Sequence, residues 1–366
     1  MRGASMLTTL IDLCAWVLFS LHRSLRYLKS LAIDAKRDET LPQRTVVLVG
    51  LGFGNMALYW KLKSLKDVRV VAIDCRSFFE YSPSIPHCMS HPDLFDEITC
   101  DFQTLLGADF CQGIVEDIDL AGKEVIVTLP DQSKQAIAFD ECVMGTGSSY
   151  ANGIKLGPSS QSWMRRTDRK AHFYRIHKRA SSRQHTYHIL GGGFVAVEVA
   201  GELASLGGSV HLWRRRELLS ASPETEKQRA TAILQGLGVQ FHVGEPFPSA
   251  TEEKEEEEED ANLAGHVWVM ACCGANDSTL PDHSRPSDWH AGPSLWAVGD
   301  IIDRPGQKTA AMAMEDAEQV YRLLSGRANW HLHATAFLTQ FNSSSGVGHF
   351  IVAGYTINIP HIWFLI

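Results

Sequence analysis

The stretch of residues 44–74, RTVVLVGLGFGNMALYWKLKSLKDVRVVAID, constrains the fold more than any other part of the chain. Residues 45–49 form a β-branched run that is too short for a helix and ends at a glycine, which is typical of a buried parallel strand. Gly50 and Gly52 allow a tight turn into a helical pattern, and a second apolar strand follows at residues 68–73. This order predicts one complete βαβ unit.

The same unit has the features of a dinucleotide site. Glycines in the turn let the backbone approach a pyrophosphate at the N-terminus of the predicted helix, residues 54–65. Asp74 ends the second strand at about the 20-residue spacing where an acid binds a ribose hydroxyl. Asn55 replaces the third glycine of the fingerprint, which normally allows close helix-to-strand packing. We expect a slightly displaced helix rather than loss of the site.

Residues 181–216 repeat this plan. A strand at residues 186–190 meets Gly191, Gly192 and Gly193, and a helix carrying Ala196 and Glu198 leads to a strand at residues 209–213. Alanine is an accepted third residue of the fingerprint, so this match is better than the first. Two such units in one chain predict two cofactors.

The second unit ends in arginines where an acid would select the free 2′-hydroxyl of NAD. Arg214, Arg215 and Arg216 suit a 2′-phosphate, so NADPH is permitted beside NADH. A solvated basic loop is the structural alternative.

Composition excludes several classes of protein. The formal net charge of −8 disfavours a general affinity for nucleic acid. The eight cysteines show neither a metal spacing nor a disulfide framework, which favours a reducing, intracellular compartment. The 16 histidines show no recognised zinc motif, so we predict no metal.

Residues 6–21 are a predominantly apolar stretch that contains Asp12 and leads into a basic stretch. They are short for a membrane span of about 20 residues, and leucines at helical spacing fit an interfacial amphipathic helix at least as well. A cleaved signal peptide, a mitochondrial presequence and a helix packed on the protein remain open. We expect membrane attachment or targeting, with a mitochondrion or a lipid-droplet surface as candidate locations.

Further landmarks follow the first unit and the second. A GTG turn at residues 145–147 ends a strand, and residues 251–260 are an acidic run that reads as a disordered insertion. Residues 294–302, SLWAVGDII, predict a strand closing on Gly299 and Asp300, followed by a helix over residues 309–324.

The ordered motifs VVLVGLGFGNMA, FFEYSPSIP, FCQGIVEDID, GGGFVAVEVAGEL and LWAVGD resemble the flavoproteins with two dinucleotide-binding domains. Within them, the chain is similar to the apoptosis-inducing-factor-like ferroptosis suppressors and to the type II NADH dehydrogenases. The likeness covers residues 44–325 and, more loosely, residues 335–355. It implies an α/β fold of two Rossmann-type domains, one for FAD and one for NAD(P)H, with the second inserted in the first.

The resemblance implies these boundaries: an N-terminal membrane-associating or targeting segment at residues 1–43, FAD-domain parts at 44–150 and 294–328, an NAD(P)H domain at 184–275, and a C-terminal region at 329–366.

The resemblance also implies residue roles. FAD would contact Gly50, Leu51, Gly52, Phe53, Gly54, Asp74, His87, Val115, Gly147, Gly299 and Asp300. NAD(P)H would contact Gly191, Gly193, Ala196, Glu198, Arg214 and Arg215. Lys308, with Thr309, would lie near the flavin ring, and Lys308 and Glu198 are the candidate catalytic residues.

The implied activity is hydride transfer from NADH or NADPH to FAD, followed by reduction of a quinone or another small acceptor at a membrane. The predicted helix at residues 54–65 lacks the CxxxxC of the disulfide reductases, which argues against disulfide reduction. Three departures bear on turnover: the acidic run stands where the family has a hairpin, the segment before residue 294 is short, and the chain ends without the usual tail. The alternative is therefore a flavin-binding redox sensor or interaction partner without efficient turnover. The sequence makes no prediction of oligomeric state.

Overall fold

The computed structural model describes residues 44–150, 154, 165–215, 217–220, 222–245, 247, 267–271, 274–275, 290–303, 309–325, 337–342, 347–352 and 355–359. The predicted N-terminal segment, the acidic run and Lys308 lie outside these residues. In the part of the chain that is described, no helix is both long enough and apolar enough to span a bilayer.

Two compact units divide the chain. Unit 1 falls within residues 1–80, 100–147 and 278–366, and unit 2 falls within residues 81–99 and 148–277. Residues 81–99, which the predicted boundaries assign to the first domain, therefore group with unit 2.

Unit 1 is built on a six-stranded sheet in the order β16-β17-β9-β1-β2-β5. Its strands are β1 (Arg44–Val49), β2 (Val68–Asp74), β5 (Phe110–Gln112), β9 (Glu141–Met144), β16 (His290–Gly292) and β17 (Leu295–Ala297). All neighbours pair in parallel except β16, which lies antiparallel at the edge. The chain leaves β1 towards β2 on one side, and β9 lies on its other side, which makes a switch point at β1.

Helices and a second sheet complete unit 1. Helix α1 (Phe53–Leu62) packs against α6 (Ala310–Ser325). An antiparallel sheet of β6 (Ile114–Asp119), β7 (Glu124–Thr128) and β8 (Lys134–Ala138) shares an apolar core with the main sheet. The remaining elements are β3 (Phe78–Glu80), β4 (Thr99–Asp101), α2 (Phe102–Leu106) and the antiparallel strands β18 (Phe337–Asn342), β19 (Val347–Val352) and β20 (Tyr355–Ile359).

Unit 2 contains a four-stranded parallel sheet in the order β13-β12-β11-β14. Its strands are β11 (Thr186–Leu190), β12 (Ser209–Arg214), β13 (Gln240–Val243) and β14 (Val267–Ala271). Helix α4 (Phe194–Ser205) packs on β11, β12 and α5 (Glu224–Gly236). Also present are α3 (Arg166–Ser181), the short pair β10 (Ser149–Tyr150) and β15 (Gly274–Ala275), and 3-10 helices at Ser82–Ser84, Pro86–Met89 and Pro92–Asp96.

The α/β class and its parallel sheets are confirmed, while one local prediction is wrong. Residues 294–302 are not one strand, because Gly299 takes a positive φ of +76° and the chain turns into the 3-10 helix Gly299–Ile301.

Candidate functional site

The first glycine turn in unit 1 has a backbone that requires glycine. Gly50 has φ +81°, and a Cβ there would lie 2.8 Å from Cα of Thr146. Gly52 precedes α1 as its N-cap and offers no side-chain cap. The first N–H groups of α1 are therefore not satisfied by a capping side chain, which is the arrangement that binds a phosphate.

Asp74 holds this turn from the neighbouring strand. Its Oδ2 accepts a hydrogen bond from the backbone N–H of Leu51 at 2.7 Å, and its Oδ1 accepts one from the N–H of Arg76 at 2.8 Å. A carboxylate has about four acceptor positions, so hydroxyls of a ribose can also be bound. The predicted ribose acid thus has a second role, which is to fix the glycine turn.

Asn55 explains how the fingerprint tolerates a missing glycine. Its side chain is fully buried, and Nδ2 donates to the carbonyls of Val49, Gly50 and Val143 at 3.0, 2.9 and 3.2 Å. These carbonyls belong to the ends of β1 and β9, so the amide joins the two strands at the switch point. The sequence identified Asn55 only as a departure and missed this role.

Gly54 is buried, and its lack of a side chain serves packing. A Cβ there would lie 2.8 Å from Cγ2 of Val298 and 3.2 Å from the carbonyl oxygen of Ala313 on α6. Phe53 precedes it and packs edge-on against Phe79, with ring centroids 5.4 Å apart. Contact of Gly54 and Phe53 with FAD stays a prediction.

The other predicted FAD residues of unit 1 follow strands of the two sheets. The GTG turn lies against the first glycine turn, because the N–H of Gly145 donates a hydrogen bond to the carbonyl oxygen of Val49 at 2.7 Å. Gly147 completes that turn with φ +77°. Gly299 follows β17, and its N–H donates to the buried carboxylate of Asp316 at 2.9 Å. The sequence did not identify Asp316, which lies on the buried face of α6.

The carboxyl ends of β1, β2, β9 and β17 therefore gather Gly50–Gly52, Asp74, Gly145–Gly147 and Gly299–Asp300 at one edge of the main sheet. Val115 lies on β6, just beyond Gly113, whose N–H donates to the carbonyl of Asp74 at 3.0 Å. Thr309 opens α6, where its Oγ1 accepts from the N–H of Met312 at 3.2 Å. This edge fits the phosphates and ribose of a dinucleotide.

The second glycine turn, in unit 2, is more open than the first. Gly191 has φ +138°. Gly193 is exposed, with no atom within 4 Å of a Cβ built on it. Gly193 is the N-cap of α4 and, like Gly52, provides no side-chain cap. Ala196 is fully buried, as the packing position of the fingerprint requires. The turn fits a pyrophosphate as well as the first does.

Arginines end β12 as the sequence predicts. Arg214 is its last residue, and its guanidinium lies over the ring of Phe241, 5.5 Å from the centroid. Arg215 follows and is exposed. Arg216 lies outside the described residues.

Glu198 lies one helical turn before Glu202 on α4. Burial, and then repulsion from Glu202, raises the pKa of Glu198 from its ordinary value of 4.5 to about 8. Its carboxyl therefore holds a proton at neutral pH and can donate a hydrogen bond.

His87 differs from its predicted place. It belongs to unit 2, where its Nδ1 lies 2.8 Å from Oε1 of Glu202. Ser90 donates to the other oxygen of Glu202. The part of His87 in FAD binding stays a prediction, and the sequence did not identify Glu202 or Ser90.

A family model matches the part of the chain that contains both turns. The family model described as pyridine nucleotide-disulphide oxidoreductase matches residues 44–284. The demethylphylloquinone reductase NdbB of Synechocystis sp. is 27% identical over 212 residues, covering 53% of this chain and 52% of that protein. The chain thus spans about half the length of that relative. The NADH dehydrogenase-like protein YutJ of Bacillus subtilis is 23% identical over 310 residues, covering 78% of this chain and 84% of that protein.

Among solved structures, the chain is similar in fold to NDH2 from Plasmodium falciparum in complex with NADH. The TM-score is 0.62 at 11% identity, covering 86% of this chain and 91% of that one.

The Asn55 amide gives a first prediction. Asn55→Ala removes both N–H donors of Nδ2, which the carbonyls of Val49, Gly50 and Val143 share, and should lower the free energy of unfolding by about 2–3 kcal/mol. The control is Gln103→Ala, because Gln103 is exposed and donates a single hydrogen bond, to Gly107. Urea unfolding of both variants would measure the difference, and equal losses would contradict the role given to Asn55.

Glu198 gives a second prediction. A carboxyl whose pKa is higher in the folded state binds its proton more tightly there, so stability falls as pH rises from about 4.5 to about 8. In the wild type the free energy of unfolding should fall by about 1 kcal/mol per pH unit over this range, and Glu198→Gln should remove this fall. Glu315→Gln, on an exposed residue of α6, is the control and should change nothing. Unfolding midpoints measured between pH 5 and pH 8 test this, and parallel curves for Glu198→Gln and the wild type would disprove it.

Proposed function

Because this chain belongs to the pyridine nucleotide-disulphide oxidoreductase family, we propose that it is a flavin-dependent NAD(P)H oxidoreductase that reduces a quinone-type acceptor. The family confirms the predicted cofactors, FAD and NADH or NADPH. The observation that carries the proposal is the pair of glycine turns in one chain, each followed by a helix without a side-chain cap.

The two turns have different tasks. In unit 1, Asp74 suits the ribose of FAD and the N-terminus of α1 suits its pyrophosphate. In unit 2, the turn before α4 suits NADH or NADPH, and Arg214 and Arg215 suit the end of the nucleotide that carries the 2′-position. When bound, FAD supplies the redox chemistry and the nicotinamide supplies the hydride.

Glu198 supplies a proton-bearing group in unit 2. Its carboxyl is neutral near pH 7, so it can donate a hydrogen bond to a carboxamide or another neutral acceptor without bringing a charge. This supports the predicted position of Glu198 beside the nicotinamide. Lys308 remains a candidate by resemblance, outside the described residues.

A quinone as acceptor is supported by the relatives. NdbB is named a demethylphylloquinone reductase, and YutJ is named NADH dehydrogenase-like. Residues 1–43, with their apolar and basic character, would bring the chain to a membrane where such an acceptor dissolves.

A sedimentation assay tests this attachment. The full chain should sediment with anionic liposomes, and the triple variant Leu10→Asp, Leu18→Asp and Leu21→Asp should lose this sedimentation.

An anaerobic absorbance titration tests the function. Purified full-length protein should be yellow, should bleach with NADH or NADPH, and should regain its colour when a water-soluble quinone is added. Gly193→Val places a side chain at the turn where the pyrophosphate must approach. It should weaken the binding of NADH or NADPH at least tenfold without loss of FAD. Gly236→Val, at an exposed position with equal space, is the matched control.

The outcomes separate the alternatives. Yellow protein that bleaches but is not reoxidised by the quinone fits another electron acceptor. Yellow protein that does not bleach fits the flavin-binding sensor. Colourless protein after addition of FAD and gel filtration contradicts the proposal.

The arginines that end β12 give a prediction on nucleotide choice. Arg215→Ala should raise the KM for NADPH about tenfold and leave the KM for NADH nearly unchanged, because a charge-assisted hydrogen bond to the 2′-phosphate is lost. Arg229→Ala is the control, since Arg229 is exposed on α5 of the same unit. No effect of Arg215→Ala on the KM of either nucleotide would assign Arg215 to the solvated surface, and an equal rise in both KM values would contradict a contact with the 2′-phosphate.

A further inference from the structure

Three side chains of unit 2, which we call the His87 cluster, lie close together: His87, His91 and Glu202. Each offers one ligand atom, and these atoms all lie within 4.8 Å of one another. Glu202 is buried, His87 is partly buried and His91 is exposed, so the cluster has a closed side and an open side.

The cluster joins two separate parts of unit 2. His87 lies in the 3-10 helix Pro86–Met89, His91 follows it, and Glu202 comes from α4. The two histidines are four residues apart, which is the spacing of a zinc-binding histidine pair on a helix. The sequence predicts no metal from this pair, because its carboxylate partner is 115 residues further along the chain from His87.

Two imidazoles and a carboxylate are a donor set that zinc uses with three protein ligands and an open fourth position. A tetrahedral zinc ion with bonds of about 2.0–2.2 Å holds its ligand atoms roughly 3.3–3.5 Å apart. That spacing lies within the 4.8 Å span of the cluster.

Ser90 orients two members of the cluster. Its hydroxyl donates to Oε2 of Glu202, which leaves Oε1 directed at His87. The same hydroxyl lies 2.8 Å from Nδ1 of His91. Partners of this kind fix the orientation of metal ligands.

We propose that His87, His91 and Glu202 bind a divalent cation of the zinc type. The ion takes the place of the proton in the hydrogen bond between Nδ1 of His87 and Oε1 of Glu202, and that proton is released to solvent. The bound ion fastens residues 86–91 to α4 and thereby stabilises unit 2. This inference goes beyond the proposed oxidoreductase activity, and its test needs neither FAD nor a nicotinamide nucleotide.

The experiment uses the full chain freed of metal by EDTA and gel filtration. Zn²⁺ is titrated in competition with a chromophoric chelator, and Co²⁺ is used as a spectroscopic probe. One equivalent of tight Zn²⁺ per chain is expected, with release of protons and a rise in the unfolding midpoint.

Variants locate the ion. His91→Ala should weaken Zn²⁺ binding at least tenfold and abolish the rise in the unfolding midpoint. The metal-free midpoint should change by less than the rise that Zn²⁺ gives the wild type, because His91 is exposed and loses only its contacts with Ser90 and His87. Glu202→Gln should weaken binding as well. His290→Ala, at an exposed histidine of unit 1, is the matched control and should bind as the wild type does.

Three results would overturn the proposal. The first is the absence of a tight Zn²⁺ equivalent. The second is an unchanged Zn²⁺ affinity of His91→Ala. This result is decisive whether or not Glu202→Gln folds. The third is a thiolate charge-transfer band with Co²⁺, which would place the ion on cysteine.

Discussion

The hydrogen bond from the backbone N–H of Leu51 to Oδ2 of Asp74, 2.7 Å long, is the interaction on which the site in unit 1 depends. It joins the turn after β1 to the end of β2, so the glycine turn and Asp74 are held in a fixed position relative to each other. Gly50 can take φ +81° only without a side chain, because Thr146 lies against it. The amide of Asn55 then joins β1 to β9 beneath the turn. The open N-terminus of α1 is thus held at the switch point of the main sheet.

Unit 2 repeats the strand, glycine turn and helix of unit 1 but places different side chains around the turn. Its turn is more exposed, its second strand ends in Arg214 rather than an acid, and its helix carries two glutamates one turn apart. Burial keeps Glu198 protonated, while Glu202 accepts hydrogen bonds from Ser90 and meets His87. One backbone plan thereby provides two glycine turns with different side chains around them, which suits the proposed hydride transfer between two cofactors.

Local patterns predicted the parts of the fold that local physics determines. Residues 186–190 were identified as a strand with its observed bounds, because a β-branched and aromatic run stops at three glycines. Helix α3 was missed, since its apolar stripe of Phe173, Ile176 and Ala180 is set among basic residues and is buried only by packing in unit 2. The contact of His87 with Glu202 and the three carbonyls bound by Asn55 depend on tertiary structure, and neither follows from spacing along the chain. The glycine turns and Asp74 were therefore predictable, and the roles of Asn55 and Glu202 were not.

The central claim is that the edge formed by β1, β2 and β9 holds FAD through its backbone and Asp74. A crystal structure of the full chain with FAD tests it most directly. The account predicts the pyrophosphate at the N-terminus of α1, within hydrogen-bond distance of backbone N–H groups of residues 52–54, and the adenosine ribose on Asp74. FAD bound at the turn of Gly191 and Gly193, or a crevice at β1 that stays closed to FAD, would contradict it.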